Sequence, residues 1–197
     1  MRRIFLSLFL LIGLAACAAE PVWAPDEEVA RAHYSTGGPP MITLMTMINT
    51  RSGNGGHAAL LVSGSERLLF DPAGSFKHPR LPERNDVVYG MTDAAVDFYI
   101  DYHSRETWRV IKQDLVVSPE VAEMALAAIK EYGAVPKAFC TNAITTILKD
   151  LPGFESIHVT MFPTAAQEAF AKLPGVVTSE YHDNDPDNNG YLLARGI

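Results

Sequence analysis

Few side chains in this sequence can serve as nucleophile and base near neutral pH. Cysteine stands only at Cys17 and Cys140, and histidine at six positions. Cys140 follows Ala138-Phe139 and precedes Thr141-Asn142-Ala143-Ile144, a pattern that predicts the first turn of a helix. There the positive end of the macrodipole and unpaired backbone N–H groups favour thiolate over thiol. The same N–H groups can hold an oxyanion. His57 follows Gly55-Gly56 and opens the apolar run Ala58-Ala59-Leu60-Leu61-Val62, so small neighbours leave room for another element beside its ring. An imidazole close to a thiol can take its proton and form a thiolate–imidazolium pair. Asp71 ends the strand predicted to pair with the one His57 opens, and from there a carboxylate can orient the imidazole. Each of the three also has a plainer role. Cys140 reads equally as a buried small hydrophobe, His57 as a solvent-facing strand end, and Asp71 as a turn residue before Pro72-Ala73-Gly74. His33, His78, His103, His158 and His182 lack a comparable setting and read as surface or structural residues.

The elements that must position these residues are legible in outline. Met41–Ile48, Gly56–Val62 and Arg67–Phe70 have strand character, and the short Ser63–Glu66 turn makes the second and third a hairpin. Met91–Tyr102 is predicted helical, with Thr92 or Asp93 as N-cap and Ala95, Phe98, Tyr99 and Tyr102 on one face. Trp108–Val117 reads as a further strand. Ser118-Pro119-Glu120 starts a helix that runs to Tyr132 before Gly133, and the helix begun near Cys140 ends by Asp150. Thr164 to Gln167 has the form of a capping box for one more short helix. Consecutive strands followed by separate helices predict an α+β domain with an antiparallel sheet packed against helices. Tyr99, Tyr102, Tyr132 and Trp108 could line a cleft or simply fill core and rim.

Before this domain the chain is different. Met1-Arg2-Arg3 is a short basic segment, Ile4–Leu14 is almost entirely apolar, and Leu14-Ala15-Ala16-Cys17 closes the run. The apolar run is too short to span a bilayer as a mature helix and has the layout of a cleaved signal peptide. L-A-A-C resembles the lipobox of bacterial lipoproteins, which implies a signal over 1–16 and a lipidated Cys17. Ala18 after it implies, by resemblance to Gram-negative lipoproteins, sorting to the outer membrane with the domain facing the periplasm. Residues 17–40, rich in proline and glycine, read as the lipidated end and tether, with a turn of helix around Glu27–His33; residues 41–197 form the domain. Cys140 would then be a lone thiol in an oxidising compartment, either buried and inert or retained for its reactivity.

Composition narrows the function classes. Cleavage leaves 181 of 197 residues, enough for one core, and losing Arg2 and Arg3 takes the net charge from −7 to −9. An acidic chain without a Lys/Arg cluster argues against nucleic acid and against electrostatic attachment to anionic lipid. No Walker or G-x-G-x-x-G motif implies a nucleotide, and no zinc-ligand spacing is present, so no cofactor is expected. Asp185, Asp187, Asn189 and Gly190 match the start of a calcium loop, but Gly196 stands where the bidentate glutamate belongs. The stretch reads as a solvated turn before a last strand.

G-G-H-A-A-L-L-V, R-L-L-F-D-P-A-G-S-F and A-F-C-T-N-A-I, spanning 56 to 144, resemble the circularly permuted branch of the NlpC-type papain-like superfamily. In that branch histidine precedes the cysteine in the chain. The resemblance implies a permuted papain-like domain with His57 as base, Cys140 as nucleophile and Asp71 in the third position. It also implies an activity among peptidases, amidases and lipid acyltransferases. With a periplasmic location, an amide of a peptidoglycan stem peptide is the expected substrate. Acyl chemistry on a lipid, or a non-catalytic envelope lipoprotein on the same fold, are the alternatives.

Overall fold

A computed structural model describes residues 19–195 of the chain. The signal segment and Cys17 lie outside the described residues.

The long strands β1 (Met41–Asn49) and β2 (Gly55–Ser63) are buried along most of their length. An alternating strand that packs on both faces must be apolar at odd and even positions alike, and theirs are. Ile42, Leu44, Ala58, Leu60 and Val62 feed one core; Met45, Met47, Ala59 and Leu61 feed the other. The remaining strands are β3 (Arg67–Phe70), β4 (Glu83–Arg84), β5 (Val87–Val88), β6 (Trp108–Val116) and β7 (Val177–Tyr181). All seven form one antiparallel sheet in the order β4-β5-β3-β2-β1-β6-β7.

Helices cover both faces, which makes the domain α+β. After α1 (Asp26–Arg31) comes α2 (Asp93–His103), capped by the Thr92 hydroxyl accepting from the Ala95 N–H. It lays Ala95, Val96, Tyr99 and Ile100 on one face of the sheet. On the other face lie α3 (Pro119–Tyr132), α4 (Cys140–Leu148) and α5 (Pro163–Phe170). Ser118 caps α3 and Gly133 ends it at φ +86°. Ala143, Ile144, Ile147 and Leu148 of α4 are buried against Leu60, Phe70 and the α3 residues Leu126 and Ile129. Full burial of one such aliphatic side chain contributes roughly 1.5–3 kcal/mol. The face of α4 that holds Cys140 in place is thus a core face. Among the described residues no helix is long and apolar enough to cross a membrane.

The structure differs from the sequence expectation in three places. Helix α5 begins at Pro163, one residue before the expected capping box, and no side chain caps it; proline's fixed φ suits the first helical position. β7 was not expected, because an exposed edge strand paired only with β6 has no apolar alternation to reveal it. The Asp/Asn-rich stretch follows β7 and is largely exposed, but it leads into the short helix α6 (Leu192–Arg195) and not into a strand, and it is tied to the domain. Asp185 pairs with Arg105, Asp187 accepts from Thr107, and Asn189 donates to the Tyr102 carbonyl.

Residues 19–40 also lie against the domain. The Ala24 N–H donates to the Glu83 carbonyl and the Asn85 N–H to that of Val22, so this segment extends the sheet edge at β4. Asp26 pairs with Arg84, whose guanidinium stacks on Trp23.

Candidate active site

Three chain segments meet at one end of β2. His57 is the third residue of that strand, and Asp71 follows directly on β3. In the β2–β3 ladder Leu60 faces Phe70, which places Asp71 diagonally across from His57 on the same face. The two side chains meet: His57 Nε2 stands 2.6 Å from Asp71 Oδ1. The Tyr99 hydroxyl of α2 donates to the same oxygen at 2.7 Å. The other carboxylate oxygen packs on Gly74, where a Cβ would approach to 1.8 Å, so only glycine lets the loop after β3 close over the buried acid.

Cys140 comes from the opposite face. It is the first residue of α4; its thiol lies 3.8 Å from the Thr141 hydroxyl, near enough to the His57 ring and the Ala58 N–H for both to lower its pKa. With Nε2 committed to Asp71, Nδ1 is the ring nitrogen left for the thiol. Ala138, two residues earlier, has φ +70°, and Ala73 beside the acid has φ +56°. Non-glycine residues in this region cost about 1–3 kcal/mol each and persist only where their surroundings hold them. Asp86 braces the loops that contain them. It lies in the β4–β5 turn, where φ is +47° at Asn85 and +67° at Asp86 itself, a geometry suited to a tight hairpin. Its carboxylate accepts from the Ala73 N–H at 3.3 Å and the Val135 N–H at 2.8 Å, and its carbonyl accepts from the Asp71 N–H. One side chain therefore ties the acid's loop to the cysteine's loop.

Electrostatics follow from these contacts. Burial works against an imidazolium at His57, but the charge of Asp71 and the bond to it, with the nearby thiolate, outweigh burial and lift its pKa to about 10. Burial raises the Cys140 thiol, yet the bond and charge of His57, with donors at Ala58 and Thr141, bring it down to about 7. Asp71 is held below the usual carboxylate range: its burial is overcome by His57 and by the Tyr99 bond. The arrangement favours carboxylate, imidazolium and thiolate together.

No family model, curated protein or solved structure matches this chain. Its site must be read from its own residues.

Beside His57 lies a cleft of about 330 Å³, lined by Met47, Gly56, Ala73, Gly74, Ser75, His103, Arg105, Trp108, Asp187 and Asn189. The Trp108 ring packs on Gly56, where a Cβ would meet it at 2.5 Å. Cys140 is only 7% exposed and is not among the lining residues. The helix that presents it also buries it.

His103 is the main residue that sequence reasoning misplaced. It is part of the site, its ring 6.1 Å from that of His57 and 4.3 Å from that of Tyr99. Its Nδ1 lies 2.9 Å from the Tyr99 carbonyl, which requires Nδ1–H as donor and leaves Nε2 as an acceptor. Burial, and the charge on His57, push its pKa down to about 4 despite the nearby Asp71. His103 follows Tyr99 by four residues on α2, a spacing that points to the site only once that helix is known to cover it. Arg105, 1% exposed, pairs with Asp101 and Asp185 and so fastens the C-terminal segment as a wall of the cleft. Asp101, Asp183 and Asp185 cluster closely enough to suggest a cation, but two of them already hold that guanidinium.

Proposed function

We propose that this protein is a thiol-dependent amide hydrolase of the circularly permuted NlpC-type papain-like kind, anchored through Cys17 to the outer membrane and facing the periplasm. The observation that carries the reading is the Asp71–His57–Cys140 relay, with the 2.6 Å contact between imidazole and carboxylate and a thiol lowered to about 7. In this reading the Cys140 thiolate attacks the amide carbonyl, and the N–H groups that open α4 receive the oxyanion. The tetrahedral intermediate collapses, the C–N bond breaks, and the His57 imidazolium gives its proton to the leaving amine. Water then adds to the thioester with His57 as base, releasing the acid and restoring the thiol. Asp71 holds the ring and stabilises its charge throughout.

The cleft walls are more apolar than polar and accept a peptide as well as a lipid acyl group. His103, Arg105, Asp187 and Asn189 supply polar groups beside Met47 and Trp108, and a stem-peptide amide of peptidoglycan fits such a surface and the periplasmic location.

The test is incubation of the lipoprotein with peptidoglycan fragments, followed by mass spectrometry of fragments and protein. New amine and carboxyl termini, and an acyl adduct on Cys140 that Cys140→Ser abolishes, are expected. Intact fragments and an unmodified Cys140 would overturn the proposal. The burial of Cys140 favours a second reading in that case, a non-catalytic envelope lipoprotein whose cleft binds peptide or a partner protein.

A further inference from the structure

The end of the domain that carries the cleft is also the end where the chain leaves toward Cys17. Glu20 is placed by two lysines, Lys77 at 3.4 Å and Lys137 at 3.5 Å. Lys137 belongs to the loop that leads directly into Cys140. Glu20, Lys77 and Lys137 surround a small recess whose wall is Ala73-Gly74, and the same two residues line the His57 cleft from the other side. One loop therefore separates the chain's exit from the reaction cleft.

Because residues 22–24 are bonded to the β4 edge, little slack remains. Cys17 and Glu20 are three peptide steps apart, a reach of about 11 Å at most. A tether that could swing the domain freely would need many more residues than this. The surroundings of the exit suit a water–lipid boundary: Trp23 is 65% exposed and Phe139 46% exposed, and the exposed Lys77 and Lys137 both reach Glu20. Aromatic rings at headgroup depth, with lysines whose stems reach back to water, are the side chains that boundary prefers.

We infer that the bilayer anchoring Cys17 lies against this end of the domain, with Trp23 and Phe139 at headgroup level and the cleft opening beside the membrane. The inference rests on the reading of Cys17 as lipidated. Attachment comes from the acyl chains, and the short exit with its two aromatic residues sets the orientation.

The test uses the full lipidated protein in phosphatidylethanolamine–phosphatidylglycerol vesicles with brominated acyl chains, which quench nearby tryptophan. Trp23 and Trp108 are the only tryptophans, so Trp108→Phe isolates Trp23. Trp23→Phe with Trp108→Phe and Phe139→Trp reports the cysteine loop. The same double background with Ser65→Trp reports the β2–β3 turn, beyond the end of β2 that lies six residues and roughly 20 Å from His57. Rings seated about 5–10 Å into the boundary should lose roughly half their emission, at positions 23 and 139, while the Ser65→Trp probe is unchanged. If Trp108→Phe does not fold, the native protein compared with Trp23→Phe gives the same difference. Equal quenching at both ends, or quenching only at the β2–β3 turn, overturns the orientation while leaving the lipid anchor intact. A mature N-terminal peptide without lipid on Cys17 removes the anchor and the inference with it, independently of the amidase proposal.

Discussion

His57 and His103 share one site, with rings 6.1 Å apart, yet their pKa values stand at about 10 and about 4. Burial opposes the charged form at both. What separates them is the partner. His57, at a strand end, meets the buried Asp71 carboxylate directly, so the cost of a buried cation is offset by contact with a buried anion. His103, at a helix end, gives its N–H to a backbone carbonyl, which supports its charged form less than a carboxylate in contact would, so burial prevails, aided by the like charge of His57. A single carboxylate thus divides two similar rings into a proton holder and a neutral acceptor, the division expected of acid–base machinery.

The most severe way to break the contrast is to remove its charged member. For His57→Ala, kcat/KM on a susceptible amide should fall on the order of 10³–10⁴-fold. Iodoacetamide labelling of Cys140, with an inflection near 7 in the native protein, should shift upward. The native rate should rise as pH passes about 7, where Cys140 ionises, and hold until His57 loses its proton near 10. A labelling profile identical in the two proteins would mean that the ring does not ionise the thiol.

A milder change tests the source of the contrast. Asp71→Asn keeps the shape and deletes the charge, so the His57 pKa should drop, visible in the NMR titration of its ring, and kcat/KM should fall roughly 10²-fold or more. Tyr99→Phe removes one hydrogen bond to the same carboxylate, worth about 1 kcal/mol, and should cost tenfold or less. Equal losses in the two variants would show that Asp71 acts by shape and not by charge.

The smallest effect sharpens the comparison through stability. His103 is lowered in the fold from 6.5 to about 4, so its contribution is complete above 6.5 and is lost as pH falls from 6.5 through 4. His57 is raised from 6.5 to about 10, so its contribution is complete below 6.5 and is lost as pH rises through 10. Urea midpoints of His103→Gln should therefore fall less than native between pH 6.5 and 4 and match native slope on the alkaline side. An unchanged acid slope would mean that His103 is already charged in the fold.

The spacing of His57 and Asp71 was legible in the sequence because a hairpin is local. A short turn fixes which residues face each other, and the alternation of β2 and β3 fixes the shared face. The start of α4 was legible from its apolar stripe. His103 and the acidic C-terminal stretch were not, because nothing in their local pattern says that α2 covers the same strand end or that Arg105 draws Asp185 in across 80 residues. β7 left no signal because an exposed edge strand needs no apolar face.

The sequence by itself determined which side chains can do chemistry here, the order in which the chain presents them, and most of the elements that carry them, since periodicity, caps and turns are properties of neighbouring residues. The tertiary structure alone decided that Asp86 would join the two loops and that Cys140 would be buried beside the imidazole, away from the open cleft. It also decided that one histidine would be charged and the other neutral. Each of these depends on distances between segments far apart in the chain and on how much water reaches them, and both quantities arise only when the sheet closes between its helices.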